Sequence, residues 1–148
     1  MIMTVCGSMK VEPEMQRVAG LLAAQGHTVL VPKRAEGVDY WERDGAARVA
    51  AKRSQDLIRL HFQQIERSDA IVVVNDLCRG IHAYIGANTF LEIGHAFALG
   101  KPIYLLWDPW GVPDPSYQSY IADELAAMEP IVLNGDLTKI VPVATNVG

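Results

Sequence analysis

The residues best suited to chemistry stand in the segment Gly86-Ala87-Asn88-Thr89-Phe90-Leu91-Glu92-Ile93-Gly94-His95-Ala96. Its periodicity predicts a helix over Thr89–Leu99, capped by Asn88 or Thr89, with Glu92 in the first turn. A carboxylate there sits in the field of the helix N-terminus, which favours its ionised form and suits a nucleophile better than an acid. The same residues fit a plainer role. Thr89-x-x-Glu92 matches a capping box, in which the Glu returns a hydrogen bond to the cap N–H. A second group, Cys6-Gly7-Ser8, follows the first apolar run; Gly7 permits close approach to the backbone and Ser8 adds a donor. Asn75 closes the most apolar run of the chain.

These residues need elements to hold them. Short apolar runs alternate with longer amphipathic stretches, the pattern of repeated βαβ units. Strands are predicted at Met1–Cys6, Thr28–Val31, Ala70–Asn75, Pro102–Leu106 and Pro130–Leu133. Helices are predicted at Glu12–Gln25, Ser54–Arg67, Thr89–Leu99 and Ser119–Met128, with Gly26 and Gly100 as stops. Lys33 to about Ala47, Asp76–Ala87 and Trp107–Ser116 read as loops, and the tail beyond Ile140 as loose. The fold class expected is α/β: a Rossmann-like, doubly wound, parallel five-stranded sheet in three layers. Ligands of such sheets bind beyond the carboxyl ends of the strands, where Cys6-Gly7-Ser8, Asn75, Asn88 and Thr89 all fall.

Composition narrows the partners. A chain of 148 residues, 50% hydrophobic and 20% charged, makes one domain over 1–148 with its own core. A net charge of -4 with no basic run argues against duplex nucleic acid or a membrane surface, though not against a small anion held by backbone N–H groups. Cys6 and Cys78 form no CxxC pair and read as free thiols of a reducing compartment. With no signal-peptide pattern, a cytoplasmic protein is expected. His27, His82 and His95 lack metal-ligand spacing, and HExxH, GxGxxG and Walker A sequences are absent, so neither metal nor cofactor is expected.

The opening MTVCGSM, the run SDAIVVVN and the segment GANTFLEIGHAFALGKPIYLL together resemble the nucleoside 2-deoxyribosyltransferase family and its relatives that hydrolyse nucleotide N-glycosidic bonds. The similarity runs from Met3 to about Ile140, and its most specific part is E-x-G-x-A-x-x-x-G-K, Glu92 to Lys101. The resemblance implies that Glu92 attacks the anomeric carbon of a nucleoside or nucleoside 5′-monophosphate. It implies that the Cys6-Gly7-Ser8 turn wraps the sugar, or a 5′-phosphate. The family's acidic partner corresponds to His61, a departure in residue type that a proton-donating His can still serve. An ordinary buried or surface His is the alternative, and Asp56 is a fallback donor. Thr4 stands where the family often has a Tyr.

Lys10 is a candidate for a phosphate, and Arg79, His82 and Tyr84 for a lid over a base. Trp107 and Trp110 can stack on a base or pack against a neighbouring subunit. The aromatic stretch Trp107–Tyr120, with Trp110 and Tyr117, suggests a homodimer or larger homo-oligomer. In the resembled family a late segment enters the adjacent subunit's site, which makes Asn134 a substrate-binding candidate in trans. Water as acceptor makes a hydrolase and a second base makes a transferase; hydrolysis is the expectation here. A phosphoribohydrolase resembling the lysine-decarboxylase-like family would show PGGxGT where this chain has GANTFLE. A non-catalytic nucleotide-binding or sensor module is the remaining alternative.

Overall fold

The strands alternate their side chains between two helical layers, and that alternation fixes the site. In the computed structural model, which describes residues 1–111 and 120–142, five strands form one all-parallel sheet of order β2-β1-β3-β4-β5. They are β1 (Ile2–Cys6), β2 (Thr28–Leu30), β3 (Ala70–Val73), β4 (Ile103–Leu105) and β5 (Ile131–Val132). β1 pairs with β3 in the register Met3↔Ala70 to Cys6↔Val73. Met3, Val5, Ala70, Val72 and Tyr104 face one layer, where α1 (Glu12–Ala24) buries Met15, Val18 and Leu22 against them. Cys6, Ile71, Val73, Ile103 and Leu105 face the other, covered by α3 (Leu57–Arg67), α4 (Ala87–Ala98) and α5 (Ala122–Ala127). The expected three-layer, doubly wound α/β architecture is what forms. No helix is long and apolar enough to cross a membrane among the described residues.

Several element boundaries depart from the sequence reading. The helix expected over Ser54–Arg67 starts later, as α3, and an unexpected helix, α2 (Ala46–Ser54), precedes it, the two separated at Gln55-Asp56, where Asp56 takes φ 50 in the left-handed region. Part of the stretch read as a loop to about Ala47 is therefore helix, opened by Asp44, whose Oδ1 accepts from the Ala46 N–H at 3.0 Å. α4 begins at Ala87 rather than Thr89, with Gly86 at its N-cap and no side-chain cap. The predicted start of α5 at Ser119, the end of the Trp107–Ser116 loop, Tyr117 and the tail from 143 lie outside the described residues. Gly26 and Gly100 end α1 and α4 at φ 89 and 66, as expected of left-handed C-terminal stops.

Candidate active site

In the order β2-β1-β3-β4-β5 the chain leaves β1 toward one edge and returns to β3 on the other side, so a crevice opens at the carboxyl ends of β1 and β3. A cavity of about 240 Å³ lies there. Gly7, Ser8, Met9 and Lys10 line it from the end of β1, and His61 from α3. Gly86, Asn88, Thr89 and Glu92 line it from α4, and Tyr84 from the preceding loop. Gly7 is required by packing as well as by access: a Cβ there would lie 2.9 Å from the Met15 sulfur and 3.1 Å from the Val74 carbonyl.

Three elements converge at the floor. Cys6 shares the parity of Thr4, Ile71 and Val73, so its thiol points into the α3–α4 layer at the carboxyl end of β1. His61 and Ile65 form the inward stripe of α3, one turn apart. Thr89, Glu92, Ile93 and Ala96 form that of α4, and the helices are clamped by Phe62 stacked on His95 at 4.3 Å. The result brings the Cys6 Sγ to 3.5 Å from the His61 Nε2, and that nitrogen to 3.6 Å from the Glu92 Oε2. His61 and Glu92 are 5% and 4% exposed, so both are groups of the interior rather than the surface.

Hydrogen bonds orient the pair. The His61 Nδ1–H donates to the Gln64 Oε1 at 2.9 Å, which leaves Nε2 as the acceptor facing Cys6 and Glu92. The Asn88 Nδ2–H donates to the Glu92 Oε1 at 2.8 Å across one helical turn. The other carboxylate oxygen, Oε2, has no hydrogen-bond partner among the described residues. The capping-box role of Thr89 and Glu92 is excluded, because Thr89 lies within the helix and Glu92 in its second turn.

The expectation of an ionised Glu92 is overturned for the same reason. The helix field fades beyond the first turn, whereas the residue is buried. Burial pushes the Glu92 carboxyl up to about 8, against smaller opposing pulls from Cys6, Lys52 and Asn88. Burial lowers His61, with the Gln64 bond working the other way. Burial first, and then the charge of Glu92, hold the Cys6 thiol well above the usual thiol range.

The remaining sequence candidates divide sharply. Ser8 lines the cavity and its Oγ accepts from the Lys10 N–H at 3.3 Å. Asn75 does not line it: its amide donates to the Trp107 carbonyl at 2.8 Å and accepts the Trp107 N–H at 2.9 Å, tying β3 to the end of β4. Asn134 sits exposed in a turn at φ 50 and does not line the cavity of its own chain. Asp56, the fallback donor, is an exposed partner of Arg59. Of the suggested lid, Tyr84 reaches the cavity, while Arg79 belongs to the tight turn bridging Cys78 and Ile81. Trp107 packs on its own core and against Gly135, where a Cβ would approach it to 2.7 Å; Trp110 is largely exposed.

Sequence reading singled out Lys10 but missed the three cations that accompany it. Arg48 and Lys52, both on the unanticipated α2, join Lys10 and Lys33 around the cavity mouth. Among the described residues none of the four is paired with a carboxylate. Desolvation and then the charges of Arg79 and Arg48 lower Lys10, a sign of cations crowded together. Sequence reading also missed that Cys6, His61 and Glu92 bring three potential metal-ligand atoms within 4.8 Å of one another.

No family model matches the chain, and no curated protein matches it. Among solved structures it is similar to a CMP N-glycosidase, BcmB, of Clostridium botulinum, at 16% identity and a TM-score of 0.49, covering 89% of this chain and 85% of that one. It is similar to a 2-deoxyribosyltransferase of Bacillus psychrosaccharolyticus, at 18% identity and a TM-score of 0.45, with 72% of each chain covered. A 2-deoxyribosyltransferase of Leishmania mexicana is similar at 19% identity and a TM-score of 0.45, over 71% of this chain and 63% of that one.

Proposed function

We propose that the protein cleaves the N-glycosidic bond of a nucleoside or nucleoside 5′-monophosphate, with Glu92 as nucleophile and His61 as acid and base. The observation that carries this reading is the buried Glu92–His61 pair, 3.6 Å apart at the cavity floor, with the Oε2 that faces His61 making no hydrogen bond among the described residues. The sequence resemblance of the Glu92–Lys101 segment supports it.

The protonation of the pair suits the chemistry. With Glu92 neutral and His61 neutral, the two groups hold one transferable proton. Moving it from Oε2 to Nε2 creates a carboxylate beside an imidazolium without changing the net charge of the site. Breaking the bond from C1′ to the base develops positive charge on the sugar, which the carboxylate stabilises and then traps as an ester through Oε2. The bonding pair leaves with the base nitrogen, which takes the proton from His61 Nε2. In the second step Nε2 removes a proton from water as its oxygen attacks C1′, and Glu92 departs as a carboxylate. Return of that proton from Nε2 to Oε2 regenerates the starting state, and hydrolysis is the favoured outcome over transfer to a second base.

The mouth favours the monophosphate. Lys10, Lys33, Arg48 and Lys52 surround an opening on a chain whose net charge is -4. A 5′-phosphate would draw on these charges and on the backbone of the Gly7-Ser8 turn. The test is to incubate the protein with a panel of nucleosides and their 5′-monophosphates and to look for free base by chromatography. Release of base that Glu92→Gln abolishes is the expected result. Binding with every nucleotide returned intact would refute catalysis and leave a sensor module.

A further inference from the structure

We propose that Cys6, His61 and Glu92 form a three-ligand site for a divalent cation of the zinc type, with its fourth position open to the cavity. The site goes beyond the glycosidic reading and needs only the three atoms. Around a tetrahedral zinc ion, sulfur at about 2.3 Å and nitrogen and oxygen at about 2.0–2.2 Å leave neighbouring ligands roughly 3.3–3.6 Å apart. The separations here are 3.5 Å from Cys6 Sγ to His61 Nε2 and 3.6 Å from Nε2 to Glu92 Oε2, with all three atoms within 4.8 Å. The two separations that meet at His61 Nε2 match edges of such a ligand tetrahedron, and the third pair lies close enough for a small closure to complete the face.

Three further observations agree. The buried Oε2 has no hydrogen-bond partner among the described residues, and it is turned toward the other two donors. The supporting bonds are those of a metal site: Gln64 accepts from His61 Nδ1–H and so presents Nε2, and Asn88 donates to the second Glu92 oxygen. Charge also balances. A dication held by a thiolate, a carboxylate and a neutral imidazole forms a set with no net charge, as a buried setting demands. The mixed sulfur, nitrogen and oxygen set selects zinc or cobalt over magnesium or calcium. His61 and Glu92 line the cavity, so a water or substrate atom entering it meets the fourth position. An ion so held occupies the Oε2 that the glycosidic reading needs, which makes zinc an inhibitor of base release.

Titrating the chelator-treated full-length protein with Co²⁺ tests the site without reference to any turnover. One equivalent is expected to bind, with a cobalt–thiolate charge-transfer band and the visible bands of a tetrahedral ion, both abolished by Zn²⁺. Cys6→Ala removes the charge-transfer band, Cys78→Ser leaves it intact, and Gln64→Leu weakens binding about 10- to 100-fold. A band that is absent from the wild type, or that survives in a folded Cys6→Ala protein, overturns the proposal. Should Cys6→Ala not fold, X-ray absorption of the wild type with one equivalent of Zn²⁺ decides: one sulfur neighbour supports the site, and none overturns it. A protein that binds zinc yet, in its chelator-treated form, releases no base from any substrate would sink the glycosidic reading alone.

Discussion

Glu92→Gln tests the buried carboxyl through stability rather than activity. Gln preserves the shape of the neutral acid and cannot ionise. The folded protein holds the proton of Glu92 up to about 8, whereas an unfolded chain releases it near 4.5. Between those values the native state binds more protons than the unfolded state, so stability falls as pH rises. The contribution is fully present below the unfolded value and is lost by the time pH passes the folded one. A difference of that size corresponds to about 5 kcal/mol, an order-of-magnitude figure. Urea denaturation from pH 5 to pH 9, with chelator present, gives the profile. The wild type is expected to lose several kcal/mol across this range. Glu92→Gln is expected to match it at pH 5, to lack this component of the slope, and to be the more stable protein at pH 9. Parallel profiles for the two proteins would refute the assignment of a neutral Glu92 in the folded state.

Other expectations follow from the same geometry. His61→Ala should slow release of a natural base by about 100-fold or more, and far more than it slows a nitrophenyl glycoside, whose leaving group needs no proton; equal losses would make His61 structural. Arg48→Ala with Lys52→Ala should lower kcat/KM for monophosphates about 10- to 100-fold, far more than for nucleosides, and a uniform change would remove the phosphate assignment. Gly135→Ala should cost about 2–3 kcal/mol in chemical denaturation, because its φ of 78 resists a side chain and the new Cβ meets Trp107 at 2.7 Å. Light scattering should find a homodimer or larger, and inactive Glu92→Ala and Asn134→Ala chains should recover activity when mixed. A fully active monomer would refute a shared site.

The sheet was legible because its signals are local. Each strand is a short apolar run, and Gly26 and Gly100 mark helix ends that need a left-handed residue. α2 was not, since AARVAAKRS has a single large apolar residue, Val49, which stays exposed, and buries only Ala51. Its helix rests on alanine propensity and the Asp44 turn, and without it Arg48 and Lys52 could not be assigned to the mouth. At the floor, Glu92 and His61 were named from a resemblance, but the partnership of Cys6 with both is a product of register. Cys6 lies 55 residues from His61, and no spacing rule spans that distance. The usable signal was strand parity, which sets Cys6 on the face that α3 and α4 cover. Asn75 was misread because the carboxyl end of a strand also serves to tie neighbouring strands, which is where both halves of its amide are used.

The pairing of β1 with β3 has a consequence for how the molecule comes into being. Ile2 and Asp69, bonded at 2.7 Å beside this pair, are 67 residues apart in the chain. During synthesis β1 therefore waits for some 67 further residues before its neighbour β3 exists, with the edge that β3 will cover open in the interval. Contacts this distant in sequence close slowly, since the entropy of the intervening chain is lost before they form. α4, which brings Glu92, emerges later still. The cluster of Cys6, His61 and Glu92 forms only once β1, α3 and α4 have all come together, so a full chain in which these contacts are still open carries all of the chemistry in its sequence and none of it in space.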